Sequence, residues 1–569
     1  MATLYGIGGH EARKKSPIPA GCGTASILGL LFGREWGKMG HRKRGRTRQF
    51  VMENNKIERA LLSVSDKTGL EEFARGLVAE GVQLISTGGT CRFLKELGLP
   101  VTEISDYTGA PELFDGRVKT LHPKVHGGLL QRRDSEEHKR QAEENGIPTI
   151  DLVCVNLYPF EATVAKEGVT LAEAIEKIDI GGPSMLRSAA KNYDSVTVVS
   201  DPADYATVLE EMRNHGGSTT LKTREKLAVK VFVRTSAYDS AISNYLGHRA
   251  EESTKNNFTL SLPFCQTLRY GDNPHQPSVL YGNFEDIFTQ LQGKELSYTN
   301  VLDLDAAASL IMNFRRPTVG ILKHTNPCGV GQDDEDLVEA WKRAYQTDTQ
   351  APFGGVIVMN RTMTEALARI VGAIFTDVII APDYEPEARA ILQKKKNCRI
   401  MRLNMEAWRS FCKEPMIRTA PGGLMTMKRD DEVMGLDNLI SKVVTKRMPT
   451  ADELDAMQFA WRVCKQVHSN AIVFTDKNGT LGIGAGQMSR VDSAKIAVWK
   501  AKQAGLSLAG SVIASDGLFP FADGLQTAID AGATACIQPG GSIRDQEVIE
   551  AADAAGIAMV MTGARHFLH

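Results

Sequence analysis

Lys323 and His324 stand side by side directly after the apolar run at 319–322, in Lys323-His324-Thr325-Asn326-Pro327. At the carboxyl end of a buried strand, an ammonium and an imidazole together can move a proton and steady an anion. A neighbouring ammonium disfavours the imidazolium, so His324 is expected neutral near pH 7 and ready to act as a base. A surface Lys-His pair is the plain alternative. Upstream, Ser63-Val64-Ser65-Asp66-Lys67-Thr68-Gly69 and Ser86-Thr87-Gly88-Gly89-Thr90 both run from an apolar stretch into a helical start. Their N–H groups, hydroxyls and Lys67 suit a phosphate without a P-loop, although ordinary helix capping favours the same residue types.

Further clusters bring together cations, an amide, phenols and carboxylates: Asp115-Gly116-Arg117-Val118-Lys119-Thr120, Asn156-Leu157-Tyr158-Pro159-Phe160, Asp179-Ile180-Gly181-Gly182, Ala189-Ala190-Lys191-Asn192 and Arg269-Tyr270-Gly271-Asp272-Asn273-Pro274-His275. The familiar signatures are missing. There is no G-x-x-x-x-G-K-[ST], and Gly482-Ile483-Gly484-Ala485-Gly486-Gln487 does not satisfy G-x-G-x-x-G. His122 and His126 have i,i+4 spacing, but Pro123 lies between them and no H-E-x-x-H occurs, so no metal is expected there. Asn326-Pro327-Cys328 resembles a piece of a zinc deaminase signature, yet lacks both the second Cys and an H-x-E partner.

Such clusters work only where a scaffold gathers strand ends. With 569 residues, 42% hydrophobic and 24% charged, the chain reads as soluble and multidomain. No run approaches the roughly 18–20 apolar residues of a membrane span. Nine scattered cysteines without a C-x-x-C argue against a disulfide framework or zinc ribbon and point to a reducing compartment. Residues 1–51 carry ten Lys and Arg against Glu11 and Glu35, about +8, which leaves about −9 on the rest and weakens any nucleic-acid reading. This basic stretch has no sustained period and is set apart from the fold as an extension or misassigned start, with a transit peptide as the alternative. After Met52, strands at 60–64, 82–86, 151–155 and 196–199, with helical periods at 68–80 and 223–240, predict a doubly wound α/β domain over 52–250. A polar linker occupies 251–261. Strands at 318–322, 356–359, 378–381, 471–475, 511–514 and 557–561 then predict two further α/β units within 262–569, with a diverged duplication left open.

In order along the chain, Lys67-Thr68-Gly69, Ser86-Thr87-Gly88-Gly89, residues 115–121, Asn156-Leu157-Tyr158-Pro159, residues 269–275, Lys323-His324, residues 484–490 and Arg565-His566-Phe567 carry a resemblance. From about Lys56 to His569 the chain resembles the family of bifunctional purine-synthesis enzymes that join an aminoimidazole carboxamide ribonucleotide (AICAR) formyltransferase to an IMP cyclohydrolase. The resemblance implies a methylglyoxal-synthase-like domain for the cyclohydrolase, followed by a formyltransferase of two cytidine-deaminase-like α/β subdomains without zinc. It also implies AICAR, formyl-AICAR and 10-formyltetrahydrofolate as substrates, no metal, no nucleic-acid or membrane partner, a cytoplasmic location and an intertwined homodimer with the transferase site at the subunit interface. Family contacts for cyclisation fall on Ser63, Ser65, Lys67, Ser86, Thr87, Gly88, Gly89, Arg117, Thr120 and Asn156, with Lys119, Tyr158, Asp179 and Lys191 catalytic and Lys191 at the acid/base position. Transferase contacts fall on Arg269, Tyr270, Gly354, Asp377, Asn470, Arg490, Asp523, Arg565 and His569, with Lys323 and His324 catalytic. The sequence departs from the family at Gly517-Leu518, where two larger residues commonly stand, and at Leu568, often a cation. A nucleotide-sensing protein that kept the folds and lost the chemistry is the rival reading, and intact Lys191, Lys323 and His324 argue against it.

Overall fold

Ala60, Leu61 and Leu62 are fully buried in a run with no alternation, which only a strand covered on both faces accommodates. They form β1 (Arg59–Val64), the centre of a five-stranded sheet. The computed structural model describes residues 55–250 and 258–569, so the extension at 1–51 and the linker residues 251–257 lie outside the described residues. Among the described residues the chain divides into two compact units, one ending at Leu262 and the other Pro263–His569.

In the first unit, β1 leads through α1 (Leu70–Ala79) to β2 (Gln83–Ser86), then through α2 (Gly88–Glu96) to β3 (Val101–Glu103). After α3 (Pro123–Leu130) come β4 (Leu152–Asn156), α4 (Gly181–Lys191), β5 (Thr197–Val199) and the long α5 (Leu221–Ala250). The order is β3-β2-β1-β4-β5 and every pair is parallel. Chain progression reverses between β1 and β4, and the carboxyl edge there is where such sheets receive ligands.

The second unit opens with a hairpin, β6 (Phe264–Leu268) and β7 (Ser278–Tyr281), and the edge strand β8 (Phe288–Gln292). Two sets of elements then follow the same course. The first is α6 (Tyr298–Ile311), β9 (Thr318–Lys323), β10 (Asn326–Gln332), α7 (Leu337–Thr347), β11 (Gly355–Met359), α8 (Glu365–Gly372), β12 (Thr376–Ala381), α9 (Pro386–Leu392) and β13 (Arg399–Leu403). An exposed hairpin, β14 (Met416–Ala420) and β15 (Gly423–Met427), separates it from the second. That set is α10 (Ala451–Cys464), β16 (Ile472–Thr475), β17 (Thr480–Gly484), α11 (Arg490–Gln503), β18 (Val512–Ser515), α12 (Ala522–Asp530), β19 (Ala535–Gln538), α13 (Asp545–Ala554) and β20 (Ala558–Met561). The sheets run β10-β9-β11-β12-β13-β8 and β17-β16-β18-β19-β20, each with an antiparallel hairpin beside parallel strands. This repeated order is what a duplication of the region, left open by the sequence, would produce. One core joins the inner sheet faces with α6 and α10, including Leu322, Val358, Trp461 and Val473, while the outer helices cover separate cores. No helix among the described residues is long and apolar enough to cross a membrane.

Candidate active sites

At the carboxyl edge of β1, Asn156 fixes the first loop. Its Oδ1 accepts the N–H groups of Ser65 at 2.5 Å and Asp66 at 3.0 Å, and its Nδ2 donates to the Asp66 carbonyl at 2.8 Å. The hydroxyls of Ser63 and Thr87 lie 2.8 Å apart. Thr87 caps α2 without a side-chain hydrogen bond, so the first turn, starting at Gly88 and Gly89, keeps N–H groups for an anion. Ser86 is fully buried and its hydroxyl donates to the Leu62 carbonyl at 2.7 Å, tying β2 to β1. Lys67 lines a groove of about 530 Å³ with Gly69, Glu71, Glu72, Arg75 and Phe93, which runs off along α1.

Lys119 reaches the same edge, its Nζ 3.6 Å from the point where a side chain on Gly88 would begin and 3.8 Å from Glu112 Oε1. Thr120 is buried, with Oγ1 2.6 Å from the corresponding point on Gly181 at the start of α4. Asp179 accepts the Gly182 N–H at 2.8 Å. Burial holds its carboxyl above the usual range, against the pull of the Gly182 N–H and the Lys119 charge. Burial, with the Asp179 and Glu112 charges, likewise pushes the Tyr158 phenol up. Arg117 is exposed and pairs with Glu176. Lys191 does not join this group. It ends α4 ten residues beyond Gly181, about 15 Å at the helical rise. Its neighbour Asn192 donates to the Leu129 and Gln131 carbonyls at 2.8 and 3.0 Å, and Ile150 N–H donates to the Gly128 carbonyl, so this end of α4 sits at the amino edge where β4 begins.

In the second unit β9 and β10 join through a two-residue turn, with Lys323 paired to Asn326 and φ of 52° at His324 and 64° at Thr325. Tight hairpins of this kind normally use Asn and Gly, and a left-handed His and Thr cost about 1–2 kcal/mol each. Such strain gathers at working sites. Asp303 of α6 braces the turn by accepting the Thr325 N–H at 2.9 Å. Lys323 Nζ donates to the Phe353 carbonyl at 3.0 Å. Burial holds the Asp303 carboxyl above its usual range, while the Thr325 N–H and the nearby His324 draw it down. The acidic neighbour arrives from α6, where the sequence offered only Lys323.

Asp377 receives Arg399 at 2.7 Å on one oxygen and Asn300 Nδ2 at 2.9 Å on the other. Gly354 N–H donates to the Phe375 carbonyl at 2.7 Å. Arg269 stacks over the Tyr270 ring at 4.5 Å, and both are tied to the start of α6 through the Leu296 carbonyl and the Tyr298 N–H. On the second sheet, Asn470 Oδ1 accepts Arg490 Nη2 at 2.7 Å, and Arg490 also pairs with buried Asp516. Arg565 lies 4.5 Å over the Phe567 ring, and the His569 ring stands 5.7 Å from the same ring. Asp523 is exposed at the start of α12, its carboxylate accepting the Gly524 N–H at 2.7 Å.

Residues 69–184 match an MGS-like domain, and residues 189–500 match the family described as AICARFT/IMPCHase bienzyme. Proteins named "Bifunctional purine biosynthesis protein PurH" are 53% identical in Chlorobium chlorochromatii and 54% identical in Chlorobium phaeovibrioides, each over 91% of this chain and 100% of the relative. The chain belongs to the AICARFT/IMPCHase bienzyme family. It is a bifunctional enzyme of purine biosynthesis, AICAR formyltransferase and IMP cyclohydrolase. A solved structure described as "Crystal structure of ForH" is 42% identical over 33% of this chain and 97% of its own, with a TM-score of 0.32.

For this bienzyme the geometry adds residues that no sequence motif singled out: Asn300 and Asp303 on one face of α6, buried Arg399 behind Asp377, and His468 against the turn. Asn300 and Asp303 are three apart in a helix, a spacing that places both on one side, but nothing local tells which side meets the turn. A Cβ on Gly517 would lie 2.5 Å from Arg490 Nη2 and 2.6 Å from Phe567 Cε1, so the glycine is closely packed against both. Cys328, the thiol of the deaminase-like fragment, donates to the Ile321 carbonyl, and burial pushes it up to about 12.

Proposed function

We propose that formyl transfer takes place at the Lys323–His324 turn and ring closure at the carboxyl edge of β1, β2 and β4. The observation that carries this reading is the strained His324–Thr325 turn, braced by Asp303 at a strand end. There His324 acts as general base toward the weakly nucleophilic AICAR amine, and Lys323 stabilises the oxyanion formed as the amine attacks the formyl carbon of 10-formyltetrahydrofolate. Arg269, Tyr270, Gly354, Asp377, Asn470, Arg490, Asp523, Arg565 and His569 bind the two substrates. Both halves of this unit are cytidine-deaminase-like and work without zinc, a reading supported by the repeated element order and by a sequence that lacks the second Cys and the H-x-E of the zinc signature.

In the first unit, Ser63, Ser65, Lys67, Ser86, Thr87, Gly88, Gly89, Arg117, Thr120 and Asn156 hold the nucleotide, its phosphate at the α2 N-terminus. Ring closure joins the carboxamide nitrogen to the formyl carbon and expels water; both groups sit on one molecule, so proximity is built in. Lys119, Tyr158 and Asp179 then move the protons. Lys191, given the acid/base place by resemblance, lies at the far end of α4, and Lys119 takes that work in this reading. The enzyme is a cytoplasmic homodimer. Eight free cysteines among the described residues fit a reducing compartment, and exposed Ile417, Leu424, Met425 and Met427 offer apolar surface for a second copy.

The experiment compares Lys119→Ala with Lys191→Ala, each supplied with formyl-AICAR. Lys119→Ala should lose ring closure by about 10²- to 10⁴-fold, the size expected of a proton-transfer group, and Lys191→Ala by much less. The reverse ranking would return the acid/base role to Lys191.

A further inference from the structure

His468 lies between α10 and β16 in the second repeat, yet its contacts reach the turn of the first. Its imidazole Nε2 is 3.1 Å from Thr325 Oγ1, its N–H donates to Asn326 Oδ1 at 3.0 Å, and its carbonyl accepts the Gly486 N–H at 2.8 Å. The Thr325 hydroxyl donates to the His324 carbonyl at 2.6 Å. A hydroxyl has one hydrogen; with it given to the His324 carbonyl, Thr325 Oγ1 can accept from the tautomer of His468 that carries hydrogen on Nε2, and that is the tautomer assigned. Both turn residues hold positive φ, a conformation that persists only when neighbours over-determine it. Asp303 supplies one such constraint on the Thr325 N–H; among the described residues, the hydrogen bond to the Thr325 side chain from the second repeat comes from His468.

We propose that His468 is a positioning residue for formyl transfer: it pins the His324–Thr325 turn from the second repeat and so aims the His324 imidazole. This rests on the reading of His324 as the base. Burial holds the His468 imidazole below its usual range, with the His569 and Arg418 charges adding to that, so near pH 7 it serves as a neutral donor.

The test uses the full chain with His468→Leu, His468→Gln and His324→Ala. A Gln amide nitrogen can donate to Thr325 from nearly the position of Nε2, and Leu cannot. In His468→Leu, kcat of formyl transfer should fall about tenfold to hundredfold, the scale of a misplaced catalytic group. KM for AICAR should change little, and ring closure of formyl-AICAR should be intact. His468→Gln should recover most of kcat. Native kcat in His468→Leu, equal impairment of Leu and Gln, or ring closure falling in step would each overturn the proposal. His324→Ala separates the two levels. If it keeps native formyl transfer, the base assignment fails and the inference with it. If it is inactive while His468→Leu is native, the inference alone fails.

Discussion

Burial raises the Asp179 carboxyl above its ordinary value, although the Gly182 N–H and Lys119 pull the other way. A carboxyl raised in the folded chain contributes stability that is complete below the unfolded pKa and is lost as pH rises through the folded one. At pH 7 the ionised group therefore costs stability, a cost that active sites commonly carry. Asp179→Asn should melt higher than the native enzyme at pH 7, with the difference closing as pH falls toward about 4, while ring closure drops. Thermal melts over that range check it, and a constant difference at every pH would contradict the burial argument. The left-handed His324 and Thr325 are the same kind of feature at the proposed transferase site, local strain of the sort that working sites keep.

Elements place these residues, and the repeat shows how. In each repeat the second hairpin strand carries Gly-x-Gly beneath a helix. A Cβ on Gly329 or Gly331 would overlap the Ala344 or Ala340 carbonyl of α7, and one on Gly482 or Gly484 the Ala497 or Ser493 carbonyl of α11. The helix replaces the missing side chains. Gly484→Ala should cost about 1–3 kcal/mol or more by overpacking, read as a lower denaturation midpoint with m unchanged; native stability would mean that α11 does not sit this close. The same device explains what the sequence conceals. The inner strands at 60–64, 318–322 and 356–359 are legible because they are short, mostly apolar runs without alternation. Asn326–Gln332 and Thr480–Gly484 are missing from the strands expected from the sequence, since their glycines interrupt the apolar pattern although they lie in a sheet. The exposed β14 and β15 give no burial pattern to read. Lys323 and His324 are legible because they follow such a run, whereas Asp303 and His468 reach the turn only through tertiary folding. Lys191 shows the opposite limit: its motif is plain, but only the length and direction of α4 reveal which edge of the sheet it occupies.

At the scale of the molecule, two compact units carry two kinds of sheet, and we assign one reaction of the family to each: cyclohydrolase to the unit ending at Leu262, formyltransferase to Pro263–His569. The product of the transferase is the substrate of the cyclohydrolase, so the reactions can be assayed together or apart. The direct measurement gives His324→Ala two separate assays, one with AICAR plus 10-formyltetrahydrofolate and one with formyl-AICAR. Formyl transfer should fall about 10²- to 10⁴-fold, as for loss of a general base, with ring closure at the native rate. Equal loss of both activities, or native formyl transfer, would contradict the assignment of two separate sites.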